Sequence, residues 1–172
     1  MMTNLHVENL KISFCSESDI ARIADCARRI WTRYYPSIIG MEQVIYMLNR
    51  MYNLSELEKQ YNSNFIFLKI TSSFSKICGF AVVEKIPNSI LFLHKFYIDL
   101  YLRGSGASHK LMEAINEIAH LNKLNTIQLN VNRNNIPAIQ FYLKNGFQIL
   151  YSLNQDIGGG FFMRDYRMEK TF

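Results

Sequence analysis

The residues best placed to do chemistry in this chain lie in the run YLRGSGASHKLMEAI, residues 101–115, where two glycines and an arginine precede a helix-like pattern. Gly104 and Gly106 permit tight turns and let a ligand approach the backbone closely. The N–H groups of such a loop and of the helix start attract phosphate or pyrophosphate, and Arg103 can add charge. The loop therefore predicts an anion site. It lacks the Lys-Ser/Thr of a P-loop, and His109 replaces the third glycine of a dinucleotide loop.

A second motif is NIPAIQFYLKNGF, residues 135–147. Its apolar spacing predicts a helix that ends at Asn145, with Gly146 as a left-handed terminator. Tyr142 on this helix carries a phenol, which with a pKa of ~10 is protonated at neutral pH and can donate a proton. A tyrosine at this spacing is also compatible with simple packing, so the helix alone does not decide between the two interpretations.

The elements that position these motifs can be assigned from patterning. Apolar periodicity predicts helices after the capping residue Ser16 and over Met41–Tyr52, and a short helix capped by Ser55 with Glu58. Two further helices are predicted after the glycine loop and over 137–145. Strands are predicted at 11–14, 64–70, 76–86, 89–99, 126–132, 147–152 and 159–170. Antiparallel strands thus lead into a β-α-β-α half, which indicates one mixed α/β domain over residues 1–172.

Composition narrows the class of protein. Of the 172 residues 49% are hydrophobic, which is typical of a globular chain, and no apolar run reaches the ~18 residues of a membrane span. The start, MMTNLHVENLKI, lacks the features of a signal peptide, so we expect a cytoplasmic protein without a membrane partner. Net charge of +5 suits an anionic ligand, but Lys and Arg are scattered, so nucleic acid is not expected. We expect no metal site, and reduced thiols at Cys15, Cys26 and Cys78.

The two motifs resemble a known family. Residues 103–108, RGSGAS, resemble the acetyl-CoA loop of the GNAT N-acetyltransferases, and 135–147 resemble the second motif of that family. Their order and the strand TIQLNVN between them also match. Ala107 and Ser108 stand where the family usually has Ile or Val and Gly or Ala, and we expect the small serine to preserve the loop. The segments YMLNRMY and HKFYI look most like bacterial PaiA-like and diamine/polyamine acetyltransferases.

The resemblance implies a mostly antiparallel central sheet of about 6 or 7 strands, flanked by helices on both faces. It also implies acetyl-CoA as co-substrate. The backbone of Phe96, Tyr97 and Ile98 would bind the pantetheine arm, and an N–H near Phe96 would polarise the thioester carbonyl. Asn135 would hydrogen-bond the arm, and Lys144 would reach a CoA phosphate or remain a solvated lysine. The pyrophosphate would lie on Arg103, Gly104, Ser105, Gly106, Ala107 and Ser108.

The resemblance assigns Tyr142 as the general acid for the departing thiolate. His94 stands where polyamine enzymes of the family have a glutamate; it can serve as base, or simply pack on its strand, and Glu84 is the second candidate. The acceptor is expected to be a small-molecule amine, with polyamines as one option. Carboxylates available for a polyamine are Glu42, Glu84 and Asp99.

Other functions remain open at this point. The alternatives are a protein or peptide N-terminal acetyltransferase, a CoA-binding module without catalysis, and a binder of other nucleotide phosphates. A homodimer is common in the family and is a further expectation.

Overall fold

The computed structural model describes residues 10–172, which form a seven-stranded sheet with the order β1-β2-β3-β4-β5-β7-β6. Only β4 and β5 run parallel among these neighbours; the other neighbouring pairs are antiparallel. The expected mixed, mostly antiparallel sheet is therefore confirmed. The strands are β1 (Lys11–Phe14), β2 (Phe65–Thr71), β3 (Ile77–Ile86), β4 (Ile90–Ile98), β5 (Thr126–Asn132), β6 (Gln148–Gly158) and β7 (Phe161–Thr171).

The helices begin and end close to the predicted places, except that Pro36–Ile39 forms a short helix that was not predicted. Ser16 and Asp19 pair before the first helix as predicted, with Asp19 Oδ2 accepting from the Ser16 N–H at 2.9 Å. The predicted cap at Ser55 is wrong: Asn53 Oδ1 accepts from the Glu56 N–H at 2.9 Å, so the helix starts earlier. The helices are α1 (Ile20–Tyr34), α2 (Pro36–Ile39), α3 (Met41–Met51), α4 (Leu54–Tyr61), α5 (Ala107–Leu121) and α6 (Ile136–Lys144).

The central strand β3 buries both of its faces along most of its length, because helices cover the sheet on each side. Phe80 and Val82 of β3 pack in one core with α1, α3 and α4, whereas Ala81 and Val83 pack in a second core with α5 and α6. This alternation follows from the period of two along a strand. The helices on one face carry the N-terminal half of the chain, and those on the other face carry the two motifs.

No helix within residues 10–172 is long and apolar enough to cross a membrane. Residues 1–9, which carry most of the segment searched for a signal peptide, lie outside the described part of the chain.

Candidate active site

The strands β4 and β5 part halfway along their length. They pair only over Ile90–Leu93 and Thr126–Leu129. Beyond that point Lys95–Ile98 pair with β3 alone, and Asn130–Asn132 pair with β7 alone. The backbone groups of β4 that point toward β5 therefore have no strand partner there. Phe96, Tyr97 and Ile98, predicted to bind the pantetheine arm, lie on this open part of β4.

A β-bulge marks the place where the strands part. Val82 of β3 lies opposite Lys95 and Val83 opposite Leu93, so His94 is the extra residue of β4. His94 Nε2 lies 2.9 Å from Glu84 Oε2. Burial lowers the pKa of His94, and the contact with Glu84 opposes this effect only in part. The two sequence candidates for a base are thus brought together as one hydrogen-bonded pair.

The glycine loop adopts the backbone conformation that its sequence predicts. Gly104 has φ of 78° and Gly106 has φ of 81°, in the left-handed region that favours glycine. A Cβ added at either residue would meet no atom within 4 Å, so conformation and not space requires these glycines.

Several N–H groups of the loop are free to bind a ligand. The Ser105 hydroxyl donates to the Leu102 carbonyl at 2.7 Å and accepts from the Ala107 N–H at 3.3 Å. Ala107 itself is buried in the core. Within residues 10–172 no acceptor is found for the N–H groups of Gly104, Gly106, Ser108 and His109. The loop and the α5 start therefore form the predicted concentration of unpaired donors.

Arg103 and Asn135 are joined through a tyrosine of α1. The Arg103 guanidinium lies 4.5 Å from the centre of the Tyr34 ring, and the Tyr34 hydroxyl donates to Asn135 Oδ1 at 2.7 Å. Asn135 Oδ1 also accepts from the Ala138 N–H and so caps α6. The side-chain amide group of Asn135 makes no hydrogen bond with any described residue, so it is free to donate.

Two cavities meet beside the open part of β4. The larger has a volume of about 580 Å³ and the smaller about 270 Å³. Arg103, Ser108 and Ile98 line the smaller one, whereas His94 lines the larger one. The residues common to both cavities are Tyr35, Phe96, Tyr97, Asn135, Ala138 and Tyr142. A ligand in the smaller cavity would therefore adjoin a ligand in the larger.

Tyr142 lies at the junction of the cavities. Its ring packs edge-on against Phe147 and Phe96, with centroid distances of 5.5 and 6.1 Å. Burial raises the pKa of its phenol, so the hydroxyl is protonated over the whole physiological range. A neutral phenol at this point can donate a proton to a group in either cavity.

Eight of the predicted site residues line one or both cavities: His94, Phe96, Tyr97, Ile98, Arg103, Ser108, Asn135 and Tyr142. The loop residues Gly104, Ser105, Gly106 and Ala107 line neither cavity but lie between Arg103 and Ser108. Lys144 is exposed in the last turn of α6 and lines neither cavity. Of the carboxylates considered for a polyamine, Asp99 is buried and binds Arg29 at 2.8 Å, and Glu42 is exposed at the start of α3. Neither these two nor Glu84 line the larger cavity.

Four charged residues of the larger cavity were not identified from the sequence, namely Arg50, Glu56, Lys95 and Asp165. The Lys95 ammonium donates to Gln60 Oε1 at 2.8 Å, and burial lowers its pKa to about 8. Burial raises the pKa of Asp165 to about 6, although Arg133 opposes the shift. Side chains alternate between the two faces of a strand, so Asp165 of β7 lies on the same face as the apolar residues Phe161 and Met163. This pattern could have indicated from the sequence that Asp165 is buried.

Solved structures with the same fold include two acetyltransferases. A PaiA N-acetyltransferase from Thermoplasma acidophilum in complex with coenzyme A has a TM-score of 0.79 and 23% identity, over 95% of this chain and 99% of that chain. The ribosomal-protein-S18-alanine N-acetyltransferase from Escherichia coli has a TM-score of 0.72 and 15% identity, over 95% and 94%. At these identities the likeness shows the fold alone.

Sequence relatives agree with the fold. The spermine/spermidine N(1)-acetyltransferase of Bacillus subtilis is 35% identical over 80 residues, which are 42% of this chain and 53% of that protein. The chain thus spans about half the length of the curated relative it matches. The model of the acetyltransferase (GNAT) family matches residues 25–147, which include the glycine loop, the open part of β4 and Tyr142. With most of its length matched, this chain belongs to the GNAT acetyltransferase family.

Proposed function

We propose that this protein is an acetyl-CoA-dependent N-acetyltransferase that acts on a primary amine of a small molecule. The observation that carries the proposal is the position of Tyr142, which lines both cavities. A proton donor at that point is what a thiolate leaving from one cavity requires when an amine enters from the other. The proposal treats residues 1–172 as one domain.

The smaller cavity fits acetyl-CoA. The pyrophosphate would bind the free N–H groups of Gly104, Gly106 and Ser108, beside Arg103. The pantetheine arm would take the unpaired backbone groups of β4 and the free amide of Asn135. The CoA bound to the PaiA relative supports this assignment. Lys144, which lines neither cavity, is proposed only for an outer phosphate of CoA.

The proposed chemistry needs few groups. An N–H of β4 near Phe96 would polarise the thioester carbonyl, and Tyr142 would protonate the departing sulfur. A primary amine with a pKa of ~10.4 must first lose a proton. We propose the pair of His94 and Glu84 as the acceptor for that proton on its way to water, because His94 lines the larger cavity and its lowered pKa leaves it neutral.

A small-molecule acceptor is supported by the larger cavity and by the spermine/spermidine acetyltransferase that the chain matches over part of its length. The first experiment is thermal unfolding with acetyl-CoA, CoA, ATP or NAD, followed by thiol release with a panel of amines and N-terminal peptides. A ligand at ~100 times its Kd raises the free energy of unfolding of the protein by ~2.7 kcal/mol, so binding is easily detected as a rise in melting temperature. We expect shifts with the two CoA species only, and thiol release with small amines. No shift with CoA would refute the proposal.

Tyr142→Phe separates an enzyme from a CoA-binding module without catalysis. We expect kcat to fall about 100-fold while CoA affinity stays within twofold, because phenylalanine keeps the packing and removes only the hydroxyl. Tyr151→Phe is the control, since Tyr151 is exposed on β6. Equal turnover in the two variants would contradict the role of Tyr142.

Some expectations from the sequence stay predictions. They are a cytoplasmic location, a homodimer, and the lack of a metal and of a nucleic-acid partner. Light scattering at several protein concentrations tests the homodimer.

A further inference from the structure

One charged side chain of the larger cavity stands without a partner. Asp165 of β7 is only 5% exposed and lies opposite Asn132 of β5 and Leu153 of β6. Within residues 10–172 its carboxylate accepts no hydrogen bond and forms no ion pair. Buried carboxylates are almost always paired, because burial of an unpaired charge is costly. The position therefore lacks a cation or a donor.

The other Arg, Lys, His and Glu side chains that line this cavity all have protein partners. Arg50 donates to the Ile157 carbonyl at 2.7 Å, and His94 lies 2.9 Å from Glu84. Gln60 serves two more of them: it donates to Glu56 at 3.0 Å and accepts from Lys95 at 2.8 Å. Asp165 thus differs from every other charged group in the same space.

Aromatic rings surround the space that Asp165 faces. The phenols of Tyr35 and Tyr97 line the same cavity, and the charge of Asp165 helps to raise the pKa of both, after the larger effects of burial and of neighbouring phenols. Trp31 stacks on Tyr35 at 4.3 Å between ring centres, and its buried indole N–H has no hydrogen-bond partner among the described residues. Aromatic faces beside a carboxylate are a favourable environment for an ammonium group.

We propose that the carboxylate of Asp165 binds the ammonium group of the acceptor before this group gives its proton to the pair of His94 and Glu84 and attacks as a neutral amine. This inference rests on the proposed function and adds to it the group that selects a cationic amine. Tyr35 and Tyr97 line both cavities, so an ammonium held beside them lies close to the junction where Tyr142 would protonate the sulfur. Arg133, whose charge acts against the raised pKa of Asp165, is not within ion-pair distance and leaves the carboxylate free for a ligand.

The unpaired carboxylate also has a cost for the free protein. Its folded pKa of about 6 lies above the ordinary 3.8, so the ionised group lowers stability once pH rises from about 4 through 6. Asp165→Asn removes that cost, and we expect its melting temperature at pH 8 to be no lower than that of the wild type. A loss of amine binding in this variant would then not reflect unfolding.

The test uses spermidine as the probe, with Asp165→Asn, Asp165→Glu and, as a control with the same change of charge, the exposed Asp25→Asn. Spermidine-induced melting shifts are measured in the presence of CoA, and KM for spermidine is measured with acetyl-CoA. We expect Asp165→Asn to lose the shift and to raise KM roughly 30-fold or more, with CoA affinity unchanged. For Asp165→Glu, the spermidine-induced shift and KM should lie between those of the wild type and those of Asp165→Asn. For Asp25→Asn, both quantities should match those of the wild type.

Two results would overturn the inference: a wild-type KM in Asp165→Asn, or no spermidine-induced shift in the wild type. The proposed function fails separately, if the wild type releases no thiol with any amine of the panel. Because the melting shift requires no turnover, a shift that is lost in Asp165→Asn would support the ammonium site even then.

Discussion

Gly106→Ala tests whether the conformation of the loop creates the CoA site. Gly106 has φ of 81°, and a Cβ there would meet no atom within 4 Å. The whole cost of the substitution is therefore conformational, and alanine in the left-handed region costs about 1 to 2 kcal/mol. In the variant the exposed loop can relax to negative φ, which turns its free N–H groups away from their binding orientation. CoA binding must then restore the left-handed conformation, and the same conformational energy is lost from the binding free energy. CoA affinity should then fall roughly 5- to 30-fold.

A matched control lies in the turn between β6 and β7. Gly160 has φ of 80°, and a Cβ there would also meet no atom within 4 Å, but it lies outside the glycine loop and the start of α5. Gly160→Ala should lower the free energy of unfolding in urea by about 1 to 2 kcal/mol and leave CoA affinity unchanged. Titration calorimetry with CoA and urea unfolding measure the two quantities for both variants.

If Gly106→Ala binds CoA within twofold of the wild type, the conformation of the loop does not create the CoA site. The same conclusion follows if Gly160→Ala weakens CoA binding as much as Gly106→Ala does, because the effect would then come from general destabilisation.

Three further predictions concern stability, the cofactor strand and the thiols. Burial acts to raise the pKa of Asp19, but hydrogen bonds from Lys69 and Ser16 outweigh it and lower the pKa to about 2. Asp19→Asn should therefore lower the free energy of unfolding, measured in urea at pH 7, by roughly 2 kcal/mol. The difference in this free energy between variant and wild type should shrink as pH falls from about 4 towards 2. A Cβ at Gly79 would lie 3.0 Å from the Tyr97 carbonyl, so Gly79→Ala should displace β4 and weaken CoA binding at least fivefold by calorimetry, and unchanged affinity would contradict this. Burial is the main cause that raises the pKa of the Cys15 and Cys26 thiols to about 12. At pH 8 iodoacetamide should therefore label both thiols more than ~100-fold faster in unfolded than in native protein, as followed by mass spectrometry. Equal labelling rates in the two states would contradict this prediction.

The sequence predicted most of the elements and the conformation of the glycine loop well because those features depend on local patterns. The φ of Gly106 and the helix that carries Tyr142 each follow from a few adjacent residues. The contact between His94 and Glu84 needed two further facts, namely that β3 and β4 are neighbours and that a bulge occurs at His94.

The lining of the larger cavity was not predicted, because its residues come together only through the complete sheet. Asp165 lines the same cavity as Tyr35 and Tyr97, but its strand β7 follows β4 by about 70 residues. No pattern of spacing along the chain predicts that these residues lie close together. Lys95 was overlooked because a lysine is usually exposed, whereas this one is 7% exposed and held by Gln60 of α4. The alternation of side chains along β7 could have indicated that Asp165 is buried, but only if the buried face of that strand had been known.

The shared wall of the two cavities has a consequence for how the substrates bind. Because Tyr35, Tyr97 and Tyr142 line both spaces, a thioester in the smaller cavity would supply part of the surface that an amine contacts in the larger one. Acetyl-CoA should then raise amine affinity by some factor, and thermodynamic reciprocity requires the amine to raise acetyl-CoA affinity by the same factor. The kinetic signature would be acceptor binding that follows acetyl-CoA, and an amine that slows the dissociation of CoA.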